Sequence, residues 1–136
     1  MKKLPGAILD ASALLAFLYR ERGSSDVRFA LLRGAAMSAV NWAEVLAKFS
    51  DLGHEPWEVV RDLASRDIYG RNLAIFPFDD SIARDSALIR KMTRDRGLSL
   101  GDRACLSTGR RFHVPVVTAD KCWAGLKVGV EILVIR

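Results

Sequence analysis

Short apolar runs alternate along this chain with longer stretches in which apolar residues return every three or four positions. The first run, Ala7-Ile8-Leu9, stops at Asp10, and an apolar stretch from Ala13 to Tyr19 follows at once. That pattern predicts a buried strand feeding directly into a helix. Runs at 35–38, 73–78, 114–118 and 132–135 predict four more strands. The intervening helices carry start and stop signals. Ser24-Ser25-Asp26 opens one that Gly34 closes, and Trp42, Val45, Leu46 and Phe49 stripe another that begins near Asn41 and ends near Gly53. Pro56 sits in the first turn of a third, with Trp57, Val60, Leu63 and Ala64 as its expected apolar side. Asp79-Asp80-Ser81 caps a long helix carrying Ile82, Leu88, Ile89 and Met92 that Gly97 ends, and Ser99 opens the last one, with Ala104, Cys105 and Leu106, followed by basic Arg110-Arg111.

Strands alternating with helices predict an α/β fold with a parallel sheet covered on both faces, in a single domain over residues 1–136. No repeat, linker or low-complexity segment interrupts it. Ligands of open α/β sheets bind at the carboxyl ends of strands. Two runs end on an acid at that edge: Asp10, and Asp120 after Val117-Thr118-Ala119. Glu44 lies one turn into the helix after the second strand, with Asn41 on its face at i, i+3. Asp102 lies in the first turn of the last helix, where the helix dipole favours negative charge. Ser12 and Thr118 are hydroxyls placed to orient Asp10 and Asp120.

Each acid has an ordinary alternative. Asp10 and Asp102 are good helix caps, Asp120 fits a polar turn, and Glu44 can pair with Lys48 at i, i+4. The set points further than its members. Gathered carboxylates repel one another and are costly to bury charged, and a hard divalent cation relieves both problems. Oxygen-only ligands with no His or Cys cluster nearby suit Mg²⁺ or Mn²⁺ rather than zinc. Cys105 and Cys122 form no CxxC and read as small buried thiols; His54 and His113 are isolated and read as surface or loop residues.

Half the residues are hydrophobic and 27% charged, which places the chain among globular proteins rather than disordered ones. Twenty-one Lys and Arg against sixteen Asp and Glu give +5, a balance that favours an acidic partner such as nucleic acid. An acid-rich metal pocket in a basic protein fits phosphodiester chemistry. The densest basic region lies between Arg84 and Arg111, read either as an RNA-backbone track or as a solvated helix face. From it Arg94, Arg96, Arg110 and Arg111 are candidate RNA contacts. Trp42, Phe49, Trp57 and Tyr69 at near-helical spacing read as core, or, where exposed, as a groove for an amphipathic partner segment. No stretch approaches the roughly 20 apolar residues that span a bilayer. Met1-Lys2-Lys3 starts like a signal peptide, but Asp10 interrupts the apolar segment behind it and no cleavage site follows. A cytoplasmic protein without membrane contact is expected.

Four segments together resemble the PIN-domain family, and within it the VapC toxins of VapBC toxin–antitoxin pairs. They are Ile8-Leu9-Asp10-Ala11-Ser12, Asn41-Trp42-Ala43-Glu44-Val45, Ser99-Leu100-Gly101-Asp102-Arg103 and Val117-Thr118-Ala119-Asp120. The resemblance implies a three-layer α/β/α fold with a central, mainly parallel sheet of about five strands. It implies a Mg²⁺- or Mn²⁺-dependent endoribonuclease that leaves 5′-phosphate and 3′-hydroxyl ends. It further implies a homodimer restrained by a VapB-like antitoxin, with structured RNA such as tRNA or rRNA as substrate. On it, Asp10, Glu44, Asp102 and Asp120 match the metal-binding acids, and Ser12 and Thr118 the small hydroxyl positions beside them. Where some PIN domains place a further acid or amide after the last aspartate, Lys121 and Cys122 stand here, a departure that makes Lys121 a further candidate RNA contact, to a phosphate.

Competing readings are a phosphorylatable receiver domain, with Asp79-Asp80 as a mimic of its acceptor site, and a non-catalytic PIN-like binding module. The receiver reading lacks an acid pair after the first strand and a lysine after the last one. A haloacid-dehalogenase-type phosphatase needs a second aspartate where Ser12 stands.

Overall fold

The computed structural model describes residues 4–136, so the leader-like Met1-Lys2-Lys3 lies outside the described residues. Five strands form one parallel sheet: β1 (Ala7–Leu9), β2 (Ala35–Ser38), β3 (Leu73–Phe76), β4 (Val116–Thr118) and β5 (Ile132–Val134), in the order β3-β2-β1-β4-β5. The helices are α1 (Ala11–Leu18), α2 (Ser24–Leu32), α3 (Ala39–Asp51), α4 (Pro56–Ser65), α5 (Asp80–Met92) and α6 (Leu100–Phe112), with one-turn helices at Arg94–Arg96 and Lys121–Trp123.

Strand residues alternate between two cores, as the period of two requires. Ala7 and Leu9 of β1, Met37 of β2 and Val117 of β4 face one core, shared with Leu14, Val27 and Val45. Ile8, Ala36 and Val116 face the other, shared with Ile89, Leu106 and Trp123. The three-layer α/β/α arrangement follows, with β1 at the centre and closed on both faces. The strand order differs from the 2-1-3-4-5 order of receiver domains. Successive strands are added outward from β1 on one side through β2 and β3 and on the other through β4 and β5, so the order switches between β1 and β4, where Ile8 pairs with Val116 and Leu9 with Val117. Side chains leaving the carboxyl ends of those strands meet in a crevice.

Several expectations are corrected. β3 ends at Phe76, before Pro77, because a proline there supplies no donor to the ladder. On α4 the buried pair is Val59 and Leu63, while Trp57 and Ala64 point outward. Trp57 is covered on its open side by Arg61 one turn on, whose guanidinium lies 4.6 Å from the ring centre. Trp42 is buried and stacks on Tyr69 at 5.5 Å. Cys105 is buried as expected, but Cys122 is exposed, because the one-turn helix turns Trp123 inward instead. Among the described residues no helix is long and apolar enough to cross a membrane.

Candidate active site

Asp10 is placed by the abrupt end of β1. Its backbone stays extended (φ −86°, ψ 176°) while the chain turns into α1, so the carboxylate caps that helix by accepting the Ala13 amide at 2.8 Å. Ser12 Oγ donates to the same oxygen, Oδ1, at 2.7 Å, and Thr118 Oγ1 donates to Oδ2 at 2.6 Å. The side chain is buried, and burial pushes its carboxyl up to about 6; the three hydrogen bonds pull the other way, and the Asp102 charge adds to the rise.

The hydroxyls join the ends of β1 and β4. Ser12 Oγ accepts the Ala119 amide at 2.9 Å, and Thr118 Oγ1 accepts the Asp120 amide at 3.0 Å. Asp120 is exposed and caps the one-turn helix behind it, its Oδ1 accepting the Cys122 amide at 2.8 Å. Replacing Ser12 by alanine strands the Ala119 amide and removes one of the bonds that favour the charged form of Asp10. The expected result is a loss of about 1–2 kcal/mol in urea unfolding and a further rise of the Asp10 titration midpoint followed by carboxyl ¹³C shifts.

Glu44 and Asp102 approach from the other side. Glu44 is exposed on α3, and its Oε1 accepts from Asn41 Nδ2 at 2.8 Å; the same amide nitrogen donates to the Gly101 carbonyl at 3.0 Å. The Glu44 carboxylate lies over Gly101, where a Cβ would stand 2.5 Å from Oε1. Asp102 is half-buried at the third position of α6, in a reciprocal capping box: Ser99 Oγ accepts the Asp102 amide at 3.1 Å, and Asp102 Oδ2 accepts the Ser99 amide at 3.0 Å.

The acids thus come together in two linked pairs, Asp10 with Asp120 through hydroxyls and Glu44 with Asp102 across Gly101. Their fields overlap at Cys105, one turn beyond Asp102. Burial pushes that thiol up, and the charges of Asp10, Asp102 and Glu44 push it further. Among the described residues no group of three or more His, Cys, Asp or Glu side chains is drawn tightly enough together to hold a metal ion as it stands. The expectation that all four acids surround one common point is carried only as far as these two pairs.

The family model described as PIN domain matches residues 7–127, a span that contains all four acids. The chain belongs to the PIN domain family. Solved structures agree on the fold. A toxin–antitoxin complex from Klebsiella pneumoniae is 21% identical with a TM-score of 0.67, covering 96% of this chain and 98% of that one. FitAcB from Neisseria gonorrhoeae is 22% identical with a TM-score of 0.67, covering 93% and 96%. VapBC-5 from Mycobacterium tuberculosis is 20% identical with a TM-score of 0.58, covering 97% and 99%. A comparison with curated protein sequences found no match.

In this PIN domain the candidate RNA contacts separate into two groups. Arg96 donates to the carbonyls of Cys122 (2.6 Å) and Ala124 (3.2 Å), which holds residues 94–96 against the segment behind Asp120. Arg94 and Lys121, on these two segments, are exposed and make no side-chain hydrogen bond or ion pair among the described residues. Arg110 and Arg111 lie elsewhere, about 12 Å beyond Asp102 along α6, and are engaged within the fold. Arg110 pairs with Asp85 at 3.1 Å and donates to the Val128 carbonyl at 2.8 Å; Arg111 pairs with Asp79 at 3.4 Å. Of these two, Arg110 is the half-buried one. Arg110→Ala is expected to cost about 1–2 kcal/mol in thermal unfolding and to leave RNA affinity at the crevice unchanged in a filter-binding titration.

Sequence patterns show one neighbour of the acids in part and miss two. Asn41 is visible as a polar residue on the Glu44 face, but its reach to Gly101 depends on how α3 and α6 pack. Gly101 carries no side-chain signal at all. Cys105 reads as core, and only the fold places it beneath three acids.

Proposed function

We propose that this PIN domain is a divalent-metal-dependent endoribonuclease, the toxin half of a toxin–antitoxin pair. PIN domains are generally nucleases, and the similar solved structures include a toxin–antitoxin complex and a member of the VapBC family of toxin–antitoxin systems. The observation that carries the reading is how the acids are held. In Asp102, Glu44 and Asp120 one carboxylate oxygen accepts a protein hydrogen bond, while Asp102 Oδ1, Glu44 Oε2 and Asp120 Oδ2 accept none among the described residues. Asp10 Oδ2 accepts only from Thr118 and keeps a second lone pair. Oriented carboxylates with open oxygens, over a glycine that leaves them room, suit a hard cation held by Asp10, Glu44, Asp102 and Asp120.

Bound there, Mg²⁺ or Mn²⁺ supplies Lewis-acid stabilisation of charge on the scissile phosphate and makes water a stronger nucleophile. The chain's own residues provide the rest. Ser12 and Thr118 fix the Asp10 carboxylate, Asn41 turns Glu44 toward α6, and Arg94, Arg96 and Lys121 give the RNA backbone positive charge beside Asp120. Cleavage leaves 5′-phosphate and 3′-hydroxyl ends, with structured RNA such as tRNA or rRNA as substrate, in the cytoplasm.

A VapB-like antitoxin would find an apolar groove of about 300 Å³ between α1, α3 and α4, lined by Leu18, Tyr19, Phe49, Val59 and Leu63 and rimmed by Glu58, Asp62 and Arg66. The active species is a homodimer. Incubating the purified chain with total cellular RNA, with Mg²⁺, with Mn²⁺ and with EDTA, and mapping the ends tests the reading. Metal-dependent cuts with 5′-phosphates support it; intact RNA under every condition overturns it.

A further inference from the structure

We infer that Asn41 is a positioning residue, which sets the Glu44 carboxylate against the start of α6 and so fixes its distance from Asp102. The inference rests on the nuclease reading and concerns a residue outside the four acids. Both partners of Asn41 Nδ2, the Glu44 Oε1 oxygen and the Gly101 carbonyl, are acceptors only, so chemistry assigns the nitrogen end of the amide. Asn41 is 2% exposed, and its Oδ1 has no donor among the described residues. A buried, half-satisfied amide is a poor choice for stability alone, since an apolar side chain of similar size would avoid the orphaned acceptor. What the amide offers is two donors from one nitrogen, one to the carboxylate and one to the α6 backbone.

The competing partner of Glu44 sharpens the point. Lys48 stands one turn along α3, in the favoured order for an i, i+4 pair, yet no Glu44–Lys48 ion pair forms among the described residues. Glu44 is turned instead over Gly101, beside the start of α6. A solvated carboxylate leaves a lysine in reach only where another donor holds it. Asn41 is that donor, and because it grips the Gly101 carbonyl as well, it couples the side chain of α3 to the backbone of α6. Asn41 acts through Glu44 and needs no contact with substrate.

The test is a double-mutant cycle on the full chain, with Asn41→Ala, Glu44→Ala and the double variant, read by Mn²⁺ titration calorimetry. The expected result is a fall of about 10–100-fold in Mn²⁺ affinity for Asn41→Ala, and no further fall when Asn41→Ala is added to Glu44→Ala. Equal losses in both backgrounds overturn the inference while leaving the nuclease reading intact. A wild-type chain that neither binds Mn²⁺ nor cuts RNA overturns both together. A second measurement needs no metal and no change at Asn41. Glu44 is exposed, so Glu44→Ala folds, and the Asn41 side-chain NH₂ resonances are expected to move in its ¹⁵N spectrum; unmoved resonances overturn the inference.

Discussion

Asp10→Asn is expected to abolish metal-dependent RNA cleavage and, in EDTA, to make the protein more stable. Both halves follow from one buried carboxyl. Its pKa stands at about 6 in the folded chain against an ordinary value of 3.8, so between those pH values the native state holds more protons than the unfolded chain. Stability therefore falls as pH rises through that window, and above it the charged carboxylate costs about 3 kcal/mol. The asparagine carbonyl still accepts from Ser12 and Ala13. Its NH₂ faces Thr118 Oγ1, which can accept it and turn its own hydrogen toward Ser12 Oγ, 3.4 Å away. Thermal unfolding in EDTA at pH 7.5 should show a gain of about 2–3 kcal/mol, roughly 5–10 °C. The advantage should shrink as pH falls toward 4, where the wild-type carboxyl is protonated in the folded chain and increasingly so in the unfolded one. Cleavage, assayed with Mg²⁺ or Mn²⁺, should drop about 10³-fold or more. A variant that is less stable in EDTA than wild type at pH 7.5 contradicts the account of Asp10.

Gly101→Ala is expected to lower activity too, but with stability nearly unchanged. The new methyl would stand 2.5 Å from Glu44 Oε1 and 2.8 Å from its Cδ, and Glu44 is the loose end of an exposed side chain. It swings away at little cost. Alanine in the first turn of α6 also favours the helix by about 0.5–1 kcal/mol. The displaced carboxylate no longer faces Asp102, and a fall of about 10–100-fold in the cleavage rate is expected. Gly109→Ala on the same helix is the control. There a Cβ would meet Val116 Cγ1 at 2.5 Å and the Val114 carbonyl at 3.3 Å, groups held by the sheet. Overpacking of about 1–3 kcal/mol should appear in urea unfolding, with the rate per folded molecule unchanged. If Gly101→Ala keeps full activity, Glu44 does not work from over Gly101.

The contrast between these glycines also shows where sequence reasoning stops. Strand positions 7–9 and 35–38 are legible because apolar runs bounded by Asp10 and Ser38 have few other readings. The parallel sheet follows from their alternation with helices. Strand order is not legible, and it is the order that brings Thr118 to Asp10 across 108 residues. For the acids, capping and a place in the crevice read as alternatives in the sequence; in Asp10, Asp102 and Asp120 one oxygen caps a helix and so aims the carboxylate. Arg110 and Arg111 look equivalent to Arg94 because charge is visible in a sequence and ion-pair partners are not. On α4, periodicity allows either Trp57 or Val59 inward, and packing against α3 decides for Val59.

The distance along the chain between Asp10 and Asp120 has a consequence for synthesis. Residue 10 leaves the ribosome early and residue 120 late, and β4 must reach its slot beside β1 before Thr118 can touch Asp10. A nascent chain stopped anywhere short of that strand carries at most three of the four acids and no assembled crevice. On the nuclease reading proposed above, translation products that end before β4 are therefore expected to leave RNA uncut, because Thr118 and Asp120 have not yet been made.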